Sequence, residues 1–454
     1  MIELQRVALD CALSPAQVLA RLSAEPLPFA LTGSWAGGGA ILGCRPLTVA
    51  SGATNPFAVL DKLPAPPPGR TPEGAVGGGW FGWLGYQLSH LVEQIPPGPP
   101  RPVMMPTSHL AYYDHVLHLD AAGQWWFEAL AGVNRRSAVS HALRRLRGLL
   151  DGPPPPRTHG DPAPFVLSAG AAADHLEAVR ECRARIAAGE IFQANLCVRL
   201  QSRWDGTAAE LLSEALTRVS PAYGAAFDTP GGGVASLSPE LFLRRQSSEV
   251  TTAPIKGTAV REVGPAGAAA LAQLLASAKD AAEHVMIVDL MRNDLGRVCE
   301  YGSIRAPRGP TADAHPGLWH LVSRVRGRLR PGVGHEQLLG ATFPPGSVTG
   351  APKVQALHVI ADLESTGREV YTGAIGYASP LAGLELNVAI RTLELRRGQL
   401  WLGAGGGIVS DSDPEAELAE ALAKARPVAA AVGSTVAVNP LSARPAPPRV
   451  ATVA

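Results

Sequence analysis

Closely spaced carboxylates on a predicted helix are the first candidates for chemistry in this 454-residue sequence. Glu417, Glu420 and Lys424 are spaced by three and four residues, which places them on one face of a helix, soon after a glycine-rich stretch at 403–407. Glycines let a backbone approach a ligand closely, and carboxylate oxygens are ligands that Mg²⁺ favours. The same pattern also fits a solvated acidic face with an i,i+4 ion pair, so spacing alone leaves both interpretations open.

Glu283 and His284 form a second polar pair, within an otherwise apolar helical pattern. An unpaired buried charge is costly, so a carboxylate in this setting needs a cation, either a metal ion or a basic side chain. The sequence does not decide between these two. The charged residues that follow, within 289–294, are interpreted mainly as a structural network at the end of the helix.

Lys256 lies between an apolar residue and a glycine, at the end of a short β-like run. Burial of a lysine lowers its pKa from about 10.4 and makes its amine available as a nucleophile. The alternative is an ordinary lysine in a surface turn, and the local sequence does not exclude it.

Residues 344–353 form a predicted loop that leads into a helix, and the hydroxyl and N–H groups of this loop could hold an anion. The glycine spacings here and at 403–408 do not match the phosphate-binding or dinucleotide-binding motifs, so nucleotide binding gains little support. The motifs of α/β-hydrolases (Gly-x-Ser-x-Gly) and zinc proteases (His-Glu-x-x-His) are absent from the sequence.

The composition argues against several classes of protein. Forty basic and 39 acidic residues leave a net charge of +1, which offers no basic surplus for binding nucleic acid. The five cysteines show no Cys-x-x-Cys spacing, which excludes a disulfide framework or a zinc ribbon. The N-terminus lacks the pattern of a secretory signal, and no window reaches the ~18 uninterrupted apolar residues of a membrane span. We expect a globular cytoplasmic protein with no membrane or nucleic-acid partner.

The elements that must position these residues are predicted to mix helices and strands without a strict βαβ repeat, which indicates an α+β fold with largely antiparallel sheets. Residues 266–295 are predicted as one long helical pattern, and residues 384–395 as strand. A proline-rich linker at 151–164 separates an N-terminal segment, 1–150, from a catalytic region, 165–430. The N-terminal segment is expected to contribute to the fold and to carry a candidate regulatory pocket, and 431–454 to form a flexible tail.

Taken together, these groups resemble the chorismate-utilising enzymes, and most closely their aminodeoxychorismate synthase component I branch. The matching blocks occur in one order along nearly the whole chain; they are residues 189–196, 238–242, 254–258, 283–294, 346–353, 371–377, 387–392 and 403–424. The resemblance implies two large, mainly antiparallel sheets in a sandwich flanked by helices. It also implies amination of chorismate to 4-amino-4-deoxychorismate, for p-aminobenzoate and folate synthesis.

The resemblance assigns roles to individual residues. Lys256 corresponds to the nucleophile, Glu240 to the general acid, and His320 to a histidine near the leaving group, although a structural histidine is the alternative for His320. The positions that match substrate-binding residues are Gln193, Ser347, Thr349, Tyr371, Arg391, Gly405, Gly406 and Lys424. The implied cofactor is Mg²⁺, with Glu283, Glu417 and Glu420 as its ligands.

Two positions discriminate between branches of the family. Lysine at position 256 is typical of aminodeoxychorismate synthases, whereas anthranilate synthases typically have alanine there. Gln193 stands where isochorismate synthases use a lysine to activate water, and glutamine cannot deprotonate water. The alternatives are anthranilate synthase component I and a non-catalytic regulatory paralogue, and the complete set of site residues argues against the latter.

The resemblance also implies a protein partner. None of the five cysteines lies in the Gly-x-Cys-x-Gly setting of a glutaminase, so ammonia has to come from a separate glutamine amidotransferase subunit (component II).

Overall fold

The computed structural model describes residues 2–52, 54–68, 71–156, 159–261, 264–307, 309–315 and 318–439. Several helices begin at residues suited to that position. Ser14 and Thr207 each complete a capping box, and Asp413 accepts a hydrogen bond from the Ala416 N–H. The helices are α1 (Pro15–Leu22), α2 (Pro56–Leu60), α3 (Arg136–Asp151), α4 (Ala169–Ala187), α5 (Ala208–Ala215), α6 (Pro265–Ala276), α7 (Ala278–Gly296), α8 (His335–Thr342), α9 (Lys353–Leu363) and α10 (Pro414–Ala431).

The strands are mostly short, and several follow one another with no helix between them. They are β1 (Ile2–Leu9), β2 (Phe29–Gly33), β3 (Gly39–Gly43), β4 (Thr48–Ser51), β5 (Gly79–Leu84), β6 (Ser108–Tyr113), β7 (His115–Leu119), β8 (Trp125–Gly132), β9 (Phe165–Leu167), β10 (Gln193–Arg203), β11 (Tyr223–Thr229), β12 (Gly232–Ser238), β13 (Leu241–Gln246), β14 (Glu249–Ala253), β15 (Ile255–Val260), β16 (Thr311–His315), β17 (Leu318–Val322), β18 (Val325–Arg328), β19 (Gly350–Ala351), β20 (Ala374–Ser379), β21 (Gly383–Val388), β22 (Thr392–Arg396), β23 (Gln399–Ile408) and β24 (Val436–Val438).

The described strands form two large sheets and one small sheet. The first large sheet has the order β1-β8-β7-β3-β2-β11-β12-β22-β23-β10-β9-β24, with β19 also paired to β10. The second has the order β18-β14-β13-β21-β20-β5-β6-β4, and the small sheet the order β15-β17-β16. Pairing is antiparallel within the described strands except between β9 and β24. The N-terminal strands therefore belong to the same sheets as the strands that follow residue 165.

The two large sheets pack face to face around an apolar layer, and helices cover their outer faces. The layer between the sheets is rich in aromatic side chains, including Phe29 and Phe227 from the first sheet and Phe81 and Tyr377 from the second. The helices α1, α3, α5 and α10 cover the first sheet, and α2, α7 and α8 cover the second. Burial of each such side chain stabilises the fold by about 1.5–3 kcal/mol. This arrangement confirms the predicted α+β sandwich.

Two sequence-based element predictions are wrong in detail, for identifiable reasons. The predicted helix at 266–295 is two helices, because Ser277 has an extended backbone conformation that ends α6 before α7 begins. The predicted strand at 384–395 is two strands in different sheets, and Arg391 between them has a positive φ of 50°. Hydropathy does not register such breaks, because they depend on the conformation of single backbone residues and on strand pairing and not on the polarity of the segment.

The C-terminal stretch was predicted to be a flexible tail from residue 431. Val436–Val438 forms β24 beside β9, and residues 440–454 lie outside the described residues. Of the helices that the structure describes, none has the length and apolar character needed to span a bilayer.

Candidate active site

Two neighbouring chain crossovers, at which the backbone leaves one large sheet for the other, form the floor of the candidate site. One crossover joins β12 to β13 and carries Glu240, and the other joins β21 to β22 and carries Arg391. They are linked by backbone hydrogen bonds, from the Leu237 N–H to the Arg391 oxygen and from the Val388 N–H to the Glu240 oxygen, both 3.0 Å. Glu240 and Arg391, which are far apart in sequence, therefore lie close together at the edge of the apolar layer between the sheets.

Lys256 lies on β15 and is largely buried beside this floor. Its side chain is 14% exposed, and Nζ lies 3.8 Å from Oε2 of Glu283, which extends from α7. This position rules out the alternative of a lysine in a surface turn. Burial, with a smaller contribution from the nearby Lys424 charge, lowers the pKa of Lys256, while Glu283, Glu240 and Glu420 oppose the shift. At a given pH, a larger fraction of Lys256 is therefore in the neutral amine form than of an ordinary lysine.

Glu240 is the buried carboxyl group of the site, with 4% of its surface exposed. Burial raises its pKa to about 7, although the Ser347 hydroxyl, the Lys256 charge and the Ile255 N–H each stabilise the carboxylate. A carboxyl group with this pKa is substantially protonated at neutral pH, so it can act as an acid.

The raised pKa of Glu240 predicts a pH-dependent stability difference for Glu240→Gln. A folded-state pKa of about 7, above the ordinary 4.5, means that the folded protein loses stability as pH rises through this interval. Glutamine removes that ionisation, so we expect the variant to gain up to about 3 kcal/mol relative to wild type at pH 8.5 and much less at pH 4.5. Thermal denaturation of both proteins at the two pH values measures the difference. The exposed Glu249→Gln is the control, and an equal effect at both pH values would contradict the shifted pKa.

The loop that precedes α9 forms one wall of the site. Ser347 lies in a 3₁₀ turn, Gly346–Val348, and its hydroxyl approaches Glu240 without completing a hydrogen bond of normal geometry within the described residues. The Thr349 hydroxyl instead contacts the backbone oxygens of its own turn. Lys353 anchors the loop, because its ammonium contacts Asp294 and donates to the Thr342 oxygen at 2.9 Å. The predicted structural role of the charged residues at the end of α7 is confirmed at Asp294.

The glycines of β23 allow side chains to lie directly against its backbone. A Cβ atom at Gly407 would lie 1.9 Å from Nε2 of Gln193, and one at Gly403 would lie 2.4 Å from the ring of Tyr371. Any larger residue at these positions would displace a predicted substrate-binding side chain. Oε1 of Gln193 is buried and has no hydrogen-bond partner among the described residues. It is therefore available to a ligand.

Arg391 brings a positive charge into the site without a protein counterion. No hydrogen bond or ion pair joins its guanidinium to any of the described residues, and burial lowers its pKa. An arginine remains charged in such surroundings, so an anion is the natural partner for it. The bidentate geometry of a guanidinium suits a carboxylate.

The acidic residues of α10 face the backbone of β23. A Cβ atom at Gly406 would lie 3.2 Å from Oε2 of Glu417, 3.6 Å from Oε1 of Glu420 and 3.7 Å from Nζ of Lys424. Lys424 donates to the Gly405 oxygen at 3.0 Å and forms the i,i+4 ion pair with Glu420 at 2.7 Å. The two interpretations of this helix face are therefore compatible, because the i,i+4 ion pair forms and it lies within the candidate site.

Three carboxylates suit a hard cation such as Mg²⁺ in their donor chemistry. Glu417 and Glu420 lie close to the backbone of Gly406, and Glu283 extends from α7 beside Lys256. In the described conformation, Lys256 neutralises Glu283, and Lys424 neutralises Glu420. Among the described residues, no three acidic, histidine or cysteine side chains are close enough to share one ion. The donor chemistry of these carboxylates fits the metal, and the magnesium site stays a prediction.

Two histidines lie close to Lys256. His320 is buried on β17, and its backbone is paired with Thr258 of β15. His284 is buried next to Glu283, and its Nε2 lies 2.6 Å from the Ser323 hydroxyl. This contact joins α7 to the end of β17 and so supports the placement of Glu283 against Lys256.

The buried ion pair behind the site is not predicted from the sequence. Arg368 and Glu364 are joined at 2.7 Å, and Glu364 accepts a hydrogen bond from the Cys197 N–H at 2.9 Å. Arg368 also donates to the Val348 oxygen at 2.8 Å. The signal in the sequence is an acidic and a basic residue four apart at the end of an apolar helix, a spacing that is also common on solvated surfaces.

The sequence and the fold of this chain are similar to those of known proteins. The family model for chorismate binding enzymes matches residues 45–430. Aminodeoxychorismate synthase component 1 of Salmonella typhimurium is 36% identical, covering 84% of this chain and 83% of that protein. Anthranilate synthase component 1 of Streptomyces coelicolor is 33% identical, covering 95% and 89%. The solved structure of anthranilate synthase component I from Streptococcus pneumoniae has a TM-score of 0.72 at 26% identity and covers 93% of this chain and 92% of its own.

The family match extends over both crossovers, the lysine-bearing strand and the acidic helix. This chain belongs to the chorismate binding enzyme family.

Proposed function

We propose that this chain is the synthase subunit of an aminodeoxychorismate synthase, which converts chorismate and ammonia to 4-amino-4-deoxychorismate and water. The observation that carries the proposal is the buried Lys256, whose pKa is lowered and whose Nζ faces Glu283. The similarity to both aminodeoxychorismate and anthranilate synthases supports the class of reaction. The presence of a lysine at position 256 favours the former.

In the proposed reaction Lys256 and Glu240 act on opposite ends of one allylic system. The neutral Lys256 amine attacks C2 of chorismate, the ring double bonds shift, and the C4–O bond breaks. Glu240 gives its proton to the departing hydroxyl, which leaves as water. Ammonia then attacks C4, the double bonds shift back, and the bond between C2 and Lys256 breaks. One proton from the ammonia restores Glu240, so the site returns to its starting state.

The remaining residues bind and orient the substrate. Arg391 binds a carboxylate of chorismate, and Gln193 and Tyr371 contact the substrate on the side of its ring. Mg²⁺ held by Glu283, Glu417 and Glu420 would supply a Lewis acid for the ring carboxylate. The buried position of Glu240 keeps its proton available until the hydroxyl leaves.

Ammonia is delivered, in this proposal, by a separate glutamine amidotransferase subunit in the cytoplasm. The product would feed p-aminobenzoate and folate synthesis. These statements rest on the family resemblance and on the sequence, which contains no glutaminase cysteine motif.

The direct test is to identify the product. Purified protein is incubated with chorismate, Mg²⁺ and ammonium at about pH 8.5, where a useful fraction of the ammonia is unprotonated. The products are then separated and identified by mass spectrometry. We expect aminodeoxychorismate. Anthranilate and pyruvate would instead assign the chain to the anthranilate synthase branch, and no turnover by folded protein would favour a regulatory paralogue.

Arg391→Lys is predicted to weaken substrate binding. The substitution keeps the charge but loses the bidentate contact with a carboxylate. A charged hydrogen bond contributes about 1.5–3 kcal/mol, so the KM for chorismate should rise roughly 10-fold or more while kcat changes little. Steady-state kinetics checks this, with the exposed Arg397→Lys as control. An unchanged KM would show that Arg391 does not bind the substrate.

A further inference from the structure

A cavity lies behind the wall of the candidate site. Its volume is about 160 Å³, and it is bounded by the turn that begins at Tyr86, by the proline-rich loop 95–101 and by α9. It contains none of the residues assigned above to chorismate or magnesium. His90 and Gly98, which border it, are exposed, so the cavity opens toward the surface.

The size and walls of the cavity suit one six-membered ring. An engineered apolar cavity of about 150 Å³ is sufficient to bind benzene. The apolar side of this cavity is formed by Leu357, Ile360 and Ala361 of α9 together with Ile95. Tyr86 adds an aromatic surface, and the Arg368 guanidinium lies 4.7 Å from its ring centroid. Aromatic rings attract one another in stacked or edge-to-face contact, so a flat ring beside Tyr86 gains a contact that a branched aliphatic chain lacks.

The hydrogen-bond donors around the cavity favour an acid over an amine. Two guanidinium groups, of Arg101 and Arg368, border it, and Glu364 is the single carboxylate among its lining residues. Arg368 is fully engaged by Glu364 and by backbone oxygens. Arg101 pairs with Glu369 through Nε and Nη2, but its Nη1 donates to none of the described residues. That atom remains able to bind a carboxylate.

The cavity shares its inner wall with the candidate active site. Arg368 donates to the Val348 oxygen beside Ser347 and to the Asn195 oxygen on β10. Glu364 accepts from the Cys197 N–H, also on β10. An occupant that shifts Arg368 or Glu364 therefore acts on two backbone segments that hold the substrate-binding side chains.

We propose that this cavity is an effector site for a small aromatic acid, with one ring and one carboxylate, and that its occupation alters the binding of chorismate. The binding site stands independently of the proposed function. The regulatory effect rests on that function, because it requires chorismate turnover as its readout.

Binding is tested first, by calorimetry with benzoate as the probe and benzamide as its neutral counterpart. Benzoate should bind about fivefold or more tightly than benzamide because of Arg101. Ala361→Leu fills the apolar part of the cavity and should weaken benzoate binding about 10-fold or more. Ile95→Phe provides a second obstruction from the opposite wall. Val354→Leu, on α9 but outside the cavity, should leave the affinity unchanged.

The coupling is tested next, by measuring the KM for chorismate with and without saturating benzoate. We expect a change of about fivefold in wild type and in Val354→Leu, and none in Ala361→Leu. Benzoate binding that competes fully with chorismate and ignores Ala361→Leu would place the probe in the active site and overturn the proposal. Binding in the cavity without a change in KM would overturn the regulatory role, and absence of binding would overturn the site itself.

Discussion

Lys256→Ala is expected to reduce the rate of aminodeoxychorismate formation by about 10³-fold or more. This reduction lies between the usual effect of removing a general acid–base group and that of removing an essential nucleophile. The physical reason is that the covalent route disappears, and ammonia would have to displace the C4 hydroxyl without the preceding adduct. The measurement is product formation from chorismate and ammonium, followed by mass spectrometry. Mass spectrometry of the intact protein during turnover adds a direct test for an adduct on Lys256.

Two further variants separate the nucleophile from its charge. Lys256→Arg keeps a cation near Glu283 but lacks a nucleophilic amine, so it should be nearly as inactive as Lys256→Ala. Lys62→Ala removes an exposed lysine and should retain full activity. If Lys256→Arg kept most of the activity, the charge alone would matter and the covalent mechanism would be wrong. Conversion to anthranilate by the wild-type protein would show that Lys256 does not determine the product.

Glu240→Gln is expected to lower kcat by about 10²–10⁴-fold, the usual contribution of a general acid. Glutamine preserves the shape of the side chain but has no acidic proton, and hydroxide is a poor leaving group without one. The KM for chorismate should change little, since the proposed contribution belongs to the breaking of the C4–O bond. Steady-state kinetics with Glu249→Gln as the exposed control separates the two parameters.

The same residue predicts the pH dependence of the reaction. The acid must be protonated, so ionisation of Glu240 should lower kcat/KM as pH rises through about 7, the pKa to which burial raises Glu240. Deprotonation of Lys256 acts in the opposite direction, but wild type and Glu240→Gln share it, so the ratio of their kcat/KM values isolates the contribution of Glu240. The assay holds the concentration of free ammonia constant, because ammonia itself gains protons over this range. Glu240→Gln should lack this alkaline decline. A decline of the same position in the variant would mean that another group is responsible.

The candidate residues could be recognised from sequence because their identities and local spacings are informative. Three- and four-residue spacings placed Glu417, Glu420 and Lys424 on one helix face, and the structure shows the resulting ion pair. The carboxylate of Glu283 was expected to need a cation, and Lys256 lies beside it. The glycines of β23 were expected to allow close approach, and Gln193 and Tyr371 lie against them.

The sheet crossovers and the cavity behind α9 were not predictable in the same way. Whether residues 384–395 continue in one sheet or switch to another depends on pairing with β12 and β13, which are more than a hundred residues away in the chain. The cavity behind α9 forms between two segments, 86–101 and 357–368, that are even more remote from each other. Hydropathy and spacing describe a segment and its immediate neighbours, and they contain no information about such contacts.

The sequence by itself determined the α+β class with antiparallel strands and the residue types available for chemistry, because these depend on composition and periodicity. The order of its motifs determined the family, and the resemblance to that family implied the sandwich. Tertiary structure alone decided which of the open alternatives applied. Lys256 could have been a surface residue, and only the packing of β15 against α7 desolvates it and lowers its pKa. Glu240 is likewise an ordinary carboxylate until the crossover between sheets removes it from water. Burial is a property of the assembled fold, and burial gives these two side chains their chemistry.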